Sequence, residues 1–332
     1  MLARWLQRQW FERRRLTPAL WLLSPLAGLF SLLAARKRRA TRVERLPVPV
    51  IVVGNITVGG AGKTPLTLWL ARELVKRGWQ PGIVSRGYGG QNTQPRPVTA
   101  QAAAVDVGDE PILLARRSGV PVWIGRDRAA AGRSLLAAEP GTDVLLCDDG
   151  LQHYRLGRDV EIAVFDGRGA GNGWRLPVGP LREPLSRLRE VDAIVCNGAA
   201  DERLPAQIPR FSMRLQPGAF YRLDIAGQTA TAAQLAGKKL YALAGIGDPG
   251  RFFRTLEGLG LQCETHPFPD HHAYAAADLA FAADGVLLMT EKDAVKCAGL
   301  TAGETWVLPV EAELSAALID LILEKLRGRQ AA

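Results

Sequence analysis

The chain has 332 residues, 47% of them hydrophobic, and a formal net charge of +9. Residues 1–45 hold 11 Lys and Arg against 2 Asp and Glu, so the whole basic excess lies there and the remaining body is neutral. A neutral body argues against nucleic acid as the partner. The four cysteines are far apart with no CxxC pair, which argues against a disulfide or zinc framework and indicates reduced thiols of a cytosolic protein. Nothing in the composition indicates an obligate protein partner.

The N-terminal segment 1–45 is predicted to associate with a membrane. Leu16–Ala35 contains no charged residue and lies between basic clusters at positions 13–15 and 36–39. A helix of about 20 residues is about 30 Å long, which matches the hydrocarbon core of a bilayer. Two prolines interrupt the run and both flanks are positive. The pattern therefore favours a helix or broken helix embedded in one leaflet and held by anionic headgroups, with a spanning helix as the alternative.

The residues after Pro47 predict an α/β fold. Short apolar runs rich in β-branched residues alternate with helical patterns, which indicates a parallel sheet covered by helices on both faces. Ligands of such sheets bind beyond the carboxyl ends of the strands. The predicted strands are Val48–Val53, Gly82–Ser85, Val120–Gly125, Val144–Asp148, Glu161–Asp166 and Ala193–Asn197, and the predicted helices are Lys63–Arg77, Glu110–Ser118 and Arg126–Ala138.

The pattern changes near Pro205. Phe211–Leu215 and Phe220–Asp224 flank a Gln-Pro-Gly turn signal, which predicts a two-stranded ribbon between two domains. A second α/β segment follows and ends in a predicted amphipathic helix at Leu314–Arg327. The predicted division is a membrane-associating helical segment at 1–45, a larger α/β domain at 46–205, a two-stranded linker at 206–225, and a smaller α/β domain at 226–332 that closes the cleft.

A glycine-rich loop follows the first predicted strand and precedes the first predicted helix. This position is the one that a Walker A phosphate-binding loop (P-loop) requires, because backbone N–H groups and the helix N terminus then surround phosphate oxygens. The strict motif has glycine where this chain has Thr57. Lys63 is expected to reach the β- and γ-phosphates of ATP, and Thr64 to place its hydroxyl on Mg²⁺. The predicted nucleotide-binding residues are Thr57, Val58, Gly59, Gly60, Ala61, Gly62, Lys63 and Thr64.

A second element of P-loop proteins is a buried strand that ends in aspartate beside the magnesium ion. Thr142–Asp149 fits this pattern, and we expect Asp148 or Asp149 to hold the ion directly or through water. A GTPase shares both elements but recognises guanine through an N-K-x-D motif. The nearest match is Thr290–Asp293, where Lys and Asp are adjacent, so the spacing favours ATP over GTP.

Three clusters contain side chains that could accept the proton of an attacking hydroxyl group. In the first, Asp109 either serves as the base or only caps the following helix. The second, Asp149–Tyr154, follows the predicted magnesium strand and contains Gln152 and His153, which can orient substrate or phosphate. The third, His266–His272, has an irregular spacing for a metal site, and pairing of one histidine with a carboxylate across the cleft is the more economical alternative.

Four arginines in predicted loops after strands are candidates for phosphate contacts, because the guanidinium group binds phosphate in a bidentate geometry. We expect two of them to touch phosphate groups. The candidates are Arg86, Arg126, Arg128 and Arg182.

With these residues in view, the chain resembles the tetraacyldisaccharide 4′-kinases, the lipid A 4′-kinases of Gram-negative bacteria. The resemblance covers nearly the whole chain, in the order of the family, through VGNITVGGAGKTP, SRGYGG, VGDEP, DDGLQH, GPLREP, FPDHHAY and LMTEKDAVKC. The family shares the threonine at position 57. The resemblance implies an ATP- and Mg²⁺-dependent kinase that phosphorylates the 4′-hydroxyl of a lipid-linked disaccharide, tetraacyldisaccharide 1-phosphate, to form lipid IVA in lipid A biosynthesis. It also implies a location at the cytoplasmic face of the inner membrane.

The resemblance implies the fold and the residue roles as well. It implies a P-loop domain, a β-ribbon linker, a smaller C-terminal domain and an N-terminal hydrophobic membrane helix. Asp109 would be the base, helped by His271, whose neighbour His272 is easily confused with it. Lys63 and Thr64 would bind nucleotide and magnesium with Asp148 and Asp149, and the further substrate or phosphate contacts would be Tyr88, Glu110, Arg128, Gln152, His153 and Arg182. The alternative function is a membrane-associated P-loop NTPase that acts as a nucleotide-dependent switch.

Overall fold

The computed structural model describes residues 2–12, 16–91, 94–301 and 303–330. The arginines at positions 13–15, which form one of the two predicted basic flanks, lie outside these ranges. The N-terminal segment contains three helices, α1 (Leu2–Phe11), α2 (Pro18–Trp21) and α3 (Ser24–Ala40).

The apolar N-terminal run forms a broken helix. Pro18 begins α2, and α3 starts afresh at Ser24 with Pro25 in its first turn, a position that suits proline because the N–H it lacks has no partner within the helix there. Leu20 and Ala27 are buried against Val178. In the described ranges, none of the helices combines the length and the apolar character that crossing a bilayer requires.

The first part of the body alternates strands and helices as predicted. The elements are β1 (Val50–Gly54), α4 (Lys63–Lys76), β2 (Pro81–Ser85), β3 (Arg96–Pro97), α5 (Ala104–Val107), α6 (Asp109–Ser118), β4 (Val122–Ile124), α7 (Arg128–Ala138), β5 (Val144–Asp148), β6 (Val160–Asp166) and β7 (Ala193–Asn197). A 3₁₀ helix, Leu185–Glu190, precedes β7. Six of these strands form a parallel core in the order β7-β6-β1-β5-β2-β4, and β3 pairs antiparallel with β4 at the edge.

The later elements build a second sheet and complete the first one. The elements are β8 (Arg210–Pro217), β9 (Phe220–Arg222), β10 (Thr229–Ala230), α8 (Ala232–Leu235), β11 (Leu240–Ala244), α9 (Pro249–Gly258), β12 (Glu264–Pro267), β13 (Val286–Thr290), α10 (Glu291–Cys297), β14 (Thr305–Leu308), β15 (Val310–Leu314) and α11 (Ala317–Gln330). A second 3₁₀ helix spans Ala276–Ala282. A six-stranded sheet has the order β10-β9-β14-β13-β11-β12, and its four strands from β14 to β12 are parallel.

The predicted pairing of the linker ribbon is wrong. Phe211–Leu215 lies in β8 of the nine-stranded sheet, whereas Phe220–Asp224 overlaps β9 of the six-stranded sheet. β8 pairs antiparallel with β15 instead, and the N–H of Gly218 donates to the carbonyl of Pro309 at 2.9 Å. A local turn signal shows where the chain changes direction, but the partner strand comes from a distant part of the sequence. The ribbon that joins the two sheets therefore consists of β8 and β15.

The end of the chain also departs from the predicted smaller domain at 226–332. Leu314, the predicted start of the last helix, ends β15 in the larger sheet. α11 then places Leu318, Ile322 and Leu326 in the apolar cluster that contains Leu66 of α4. The last two elements therefore belong to the larger unit, and the smaller unit is the six-stranded sheet with its helices.

The cores explain why the central strands are apolar at every position. Ile51 and Val53 of β1 point into the cluster under α4, α6 and α11, whereas Val50 and Val52 belong to the cluster on the opposite face with α7. Two further clusters cover the two faces of the smaller sheet. Burial on both faces is the arrangement that continuous apolar strands predict.

Candidate active site

The glycine-rich loop between β1 and α4 has a backbone that favours glycine. Gly59 and Gly62 have φ angles of 96° and 98°, which an L side chain rarely adopts. A Cβ on Gly62 would also lie 2.8 Å from Nδ2 of Asn197. Within the described residues, no side chain caps the N terminus of α4. The N–H groups of its first turn are therefore available to an anion.

Asn55 organises this loop from the end of β1. Its Nδ2 donates to the carbonyl of Gly59 at 3.2 Å and to Oγ1 of Thr57 at 3.3 Å. The N–H of Val58 donates to the carbonyl of Pro180 at 2.9 Å. Thr57 and Val58, both predicted to bind nucleotide, thus hold the loop to its neighbours, and residues 59–64 line the cleft.

Lys63 connects the loop to the end of β5. Its Nζ lies 3.5 Å from Oδ1 of Asp149 and 3.5 Å from Oδ1 of Asn55. Burial raises the pKa of Asp149, but the charges of Lys63, Arg182 and Arg128 outweigh burial, so the pKa lies below its usual value. Asp149 is therefore an ionised carboxylate at neutral pH, beside the lysine of the loop.

Asp148 is a buried carboxylate with one unsatisfied oxygen. Oγ1 of Thr67 donates to its Oδ1 at 2.9 Å, while Oδ2 is buried and has no hydrogen-bond partner in the described part of the chain. Burial, with the nearby charges of Glu110 and Asp149, raises the pKa of Asp148 to about 7. A buried oxygen without a partner is costly, and a divalent cation at this position would satisfy it. The oxygen-rich set Thr64, Asp148 and Asp149 fits Mg²⁺, which binds through few carboxylates together with phosphate oxygens and water.

Among the described residues, no group of three or more His, Cys, Asp or Glu side chains is arranged to enclose a metal ion.

Asp109 and His271 meet across the cleft. Asp109 is the first residue of α6 and only 4% exposed, and His271 lies in the loop after β12. Nδ1 of His271 is 3.1 Å from Oδ2 of Asp109 and 3.2 Å from Oδ1. The N–H of Glu110 also donates to Oδ1 at 2.9 Å. The carboxylate is therefore held from both units, which goes beyond a capping role in α6.

Opposing influences set the pKa values of this pair. Burial raises the pKa of Asp109, but the hydrogen bond with His271 and the charges of Lys292 and Lys296 outweigh it, so the pKa lies below its usual value. Burial lowers the pKa of His271, and the hydrogen bond with Asp109 reverses this, so the pKa lies above its usual value. Asp109 is thus ionised and can accept a proton at neutral pH.

The structure distinguishes the two adjacent histidines. Nε2 of His272 lies 3.2 Å from Oδ2 of Asp278, and its ring packs against Phe268 and Tyr274. His271 has a φ of 59°, and its ring centroid lies 4.9 Å from that of Tyr88. Of the two adjacent histidines, His271 therefore contacts Asp109, whereas His272 pairs with Asp278.

Gln152 and Arg182 lie beside the glycine-rich loop and contact Asn55 and Asp149, respectively. Nε2 of Gln152 donates to the carbonyl of Asn55 at 3.0 Å and to Glu183 at 2.7 Å. Arg182 reaches Oε1 of Gln152 at 3.4 Å and lies 3.6 Å from Oδ1 of Asp149. Both predicted residues line the cleft, and Arg182 places a positive charge next to the loop.

His153 and Arg128 form a part-buried contact in the wall of the cleft. The N–H of Arg128 donates to Nε2 of His153 at 3.1 Å, so this nitrogen carries no proton. Burial, reinforced by the charge of Arg128, lowers the pKa of His153 to about 4. Nε of Arg128 is buried without a partner in the described residues. His153 is therefore a neutral acceptor that fixes α7, whereas Arg128 offers an unused donor.

One cleft is lined by most of these groups, but the buried side chains of Asp109 and Asp148 do not line it within the described structure. Its volume is about 1840 Å³. α3 contributes Phe30, Leu33, Lys37 and Arg38 at one end, and Gly247 after β11 packs so closely that a Cβ there would lie 2.9 Å from the backbone N of Gly60. The remaining predicted residues that line it are Arg86, Tyr88, Glu110, Arg126, Asp149 and His271.

Sequence reasoning missed several polar residues of the site. Asn55 and Asn197 hold the backbone of the loop, the latter through a 3.3 Å bond from Nδ2 to the carbonyl of Ala61. Lys292 and Lys296 approach Asp109 from α10. A polar residue directly after a buried strand could have indicated Asn55 and Asn197, since both end strands at the same sheet edge.

A P-loop, an aspartate-terminated strand and an Asp–His pair in one cleft define a P-loop phosphotransferase. The tetraacyldisaccharide-1-P 4′-kinase family matches residues 19–327, and the chain belongs to this family. A tetraacyldisaccharide 4′-kinase from Dechloromonas aromatica is 71% identical over the full length of both chains. One from Chromobacterium violaceum is 52% identical and covers 98% of this chain and 99% of its own. The structure of LpxK from Aquifex aeolicus in complex with ATP is 28% identical, with a TM-score of 0.77 over 93% of this chain and 99% of that chain.

Proposed function

We propose that this chain transfers the γ-phosphate of ATP to the 4′-hydroxyl of tetraacyldisaccharide 1-phosphate and thereby forms lipid IVA. The chain belongs to the tetraacyldisaccharide-1-P 4′-kinase family, and its fold resembles that of a family member in complex with ATP. The observation that carries the proposal is the Asp109–His271 pair, because a base beside a phosphate loop serves transfer to a hydroxyl group.

The nucleotide half of the reaction uses the loop and its neighbours. The backbone of residues 59–64 surrounds the phosphates, and Lys63 and Arg182 neutralise the charge that spreads over the transferred group. Bound Mg²⁺ supplies further neutralisation of the phosphate oxygens. Thr64, Asp148 and Asp149 are the residues that would hold it, since Oδ2 of Asp148 is a buried acceptor without a partner in the described chain.

The acceptor half uses the pair across the cleft. Asp109 takes the proton of the 4′-hydroxyl as the new O–P bond forms and the bond between the γ-phosphorus and the bridging oxygen of ADP breaks. His271 donates from Nδ1 to this carboxylate and holds it in place. Because His271 belongs to the smaller unit, the closed position of that unit over the loop assembles the base. The proposed roles of Tyr88, Glu110 and Arg128 are contacts to the substrate within the same cleft.

The lipid half of the substrate requires a membrane surface. α2, α3 and the turn between them carry the exposed residues Trp21, Leu22, Leu26, Leu29 and Leu32, which do not line the cleft within the described structure. A basic run at 36–39 follows, and the same helix lines the cleft. An apolar face with a basic end suits an interfacial helix on an anionic leaflet. We therefore propose peripheral association with the cytoplasmic face of the inner membrane.

Transfer of label from γ-labelled ATP to detergent-dispersed tetraacyldisaccharide 1-phosphate, with and without Mg²⁺, tests the proposal. We expect labelled lipid only when Mg²⁺ is present. Release of free phosphate from ATP or GTP without labelled lipid would refute the kinase function and favour a nucleotide-dependent switch.

A further inference from the structure

The ammonium group of Lys292, in α10, lies among the polar side chains around Asp109 and His271. Nζ of Lys292 is 2.9 Å from Oδ1 of Asp270 and 3.2 Å from Oε1 of Glu110. It is also 3.4 Å from Nε2 of His271 and 3.9 Å from Oδ2 of Asp109. The lysine side chain is only 14% exposed. These contacts are thus formed in a largely dehydrated place, where interactions between charges are stronger than in water.

The four partners of Lys292 come from two separate elements. Asp109 and Glu110 begin α6 of the larger unit, whereas Asp270 and His271 lie in the loop after β12 of the smaller unit. A single cation therefore links the helix that carries the base to the loop that carries its histidine. Lys292 belongs to the segment LMTEKDAVKC, which resembles the kinase family, but neither that resemblance nor the proposed function gives it a role.

We propose that Lys292 is a positioning residue of the phosphoryl transfer, whose ammonium group donates to Nε2 of the neutral His271 ring and so keeps the Nδ1 proton of that ring on Asp109. The inference rests on the proposed function. Lys292 itself exchanges no proton in the step, because the 4′-hydroxyl proton goes to Asp109. Its contribution is the geometry and tautomer of the imidazole ring, since an imidazole with its proton on Nε2 would turn a lone pair to the carboxylate.

The charges around Asp109 and His271 predict how removal of Lys292 changes the pKa values of these two residues. Asp109 faces His271, Lys292, Lys296 and its neighbour Glu110, and His271 also faces Asp270 and the ring of Tyr88. The positive charge of Lys292 lowers the pKa of both Asp109 and His271. Its loss should raise both, so the acidic limb of kcat/KM should move to higher pH. Lys296, 3.8 Å from Asp109, remains and limits the shift.

The test compares Lys292→Met and Lys292→Arg with the wild type in labelled phosphate transfer at a series of pH values. Methionine keeps the length of the side chain without charge, and we expect kcat to fall about 10- to 100-fold, as for small misplacements of a reacting group. KM for ATP should stay near the wild-type value, because residues 59–64 bind the phosphates. Arginine should restore the acidic limb to its wild-type position and recover part of kcat.

Arg117→Gln is the matched control. Arg117 of α6 also pairs with elements beyond its own helix, with Glu291 of α10 and Glu311 of β15, but it does not belong to the group around His271. If the acidic limb of Lys292→Met stays at the wild-type pH, or moves no further than that of Arg117→Gln, the positioning role is wrong. Lys292→Gln, which keeps a donor for the carboxylates, replaces Lys292→Met if methionine prevents folding.

The experiment separates this inference from the proposed function. A wild-type protein that labels no lipid would overturn the proposed function and the inference together. A wild-type protein that labels the lipid, with a Lys292→Met variant of equal kcat and pH profile, would overturn the inference alone. A slower variant with a shifted acidic limb that arginine corrects would support it.

Discussion

Nδ1 of His271 lies 3.1 Å from Oδ2 of Asp109, although the two residues are 162 positions apart in the chain. One residue begins a helix of the larger unit and the other lies in a loop of the smaller one. Asp109, the proposed base, therefore contacts its histidine only when the two units lie against each other. The glycine-rich loop, by contrast, lies wholly within the larger unit.

Replacement of Asp109 by asparagine should remove the base and keep the shape of the side chain. We expect kcat for lipid phosphorylation to fall about 10²- to 10⁴-fold, the usual contribution of a general base. ATP affinity should be nearly unchanged, because Asp109 lies outside the phosphate loop. Labelled transfer gives kcat, and equilibrium titration with ATP gives the affinity. A variant with wild-type kcat would refute the assignment.

The adjacent histidines provide a matched pair of variants. Each has an aspartate partner at 3.1 or 3.2 Å, but only His271 contacts the base. His271→Gln should lower kcat, about tenfold or more given that a misplaced reacting group is costly. His272→Gln should retain most of the activity. Equal losses in both variants, measured in the same transfer assay, would indicate a role in loop folding.

Much of the larger unit follows from the sequence. The bounds of β5 and β7 coincide with the predicted strands Val144–Asp148 and Ala193–Asn197, because uninterrupted apolar runs have few alternatives to a sheet covered on both faces. The phosphate loop is equally local, since the strand, glycines and helix are consecutive. The pairing of β8 with β15 is not local, and the turn after Pro217 gives no information about it.

The site shows the same division between local and distant contacts. Lys63 and Asp148 belong to motifs whose spacing alone predicts their position. Lys292 reaches Asp109 and Glu110 only because α10 packs against α6, and its own sequence context resembles an ordinary helix start. His153 lies in a predicted motif but accepts a buried N–H of Arg128, which depends on where α7 begins.

The raised pKa of His271 predicts a pH-dependent contribution to stability. A histidine whose pKa is higher in the folded state stabilises the fold fully below its unfolded pKa, about 6.5, and loses this contribution as pH rises through the folded value. Asp109, with a lowered pKa, stays ionised over that range. The excess stability of wild type over His271→Gln should thus be larger at pH 6 than at pH 9. Thermal unfolding at both pH values measures it, and an equal difference would contradict the ion pair.

Alanine substitutions at two glycines with similar backbone conformations can distinguish a role in ATP binding from the general cost of backbone strain. Gly62 and Gly78 have φ angles of 98° and 84°, so alanine costs each of them about 1 kcal/mol. A Cβ at Gly62 would meet Asn197 at 2.8 Å, whereas none of the described atoms lies within 4 Å of one at Gly78. Gly62→Ala should weaken ATP binding at least about tenfold, since the loop must shift around the phosphates. Gly78→Ala should bind ATP normally, and equal affinities in both variants would contradict the proposed loop.

The exposed face of α3 can be tested apart from the cleft. Leu29 and Leu32 are 52% and 67% exposed and do not line the cleft within the described structure. Each leucine should contribute roughly 1–2 kcal/mol when it enters the acyl boundary, so the double change to serine should lower affinity for vesicles with anionic lipid about 30- to 1000-fold.

Val75→Ser is the control for this face, because Val75 is similarly exposed at the end of α4, far from α3 in the sequence. It should bind vesicles like the wild type. The double variant should keep its kcat on detergent-dispersed substrate, since Asp109, His271 and the phosphate loop are unchanged. Wild-type vesicle binding by the double variant would show that this face does not enter the bilayer. A parallel loss of kcat in detergent would instead place these leucines in the substrate site.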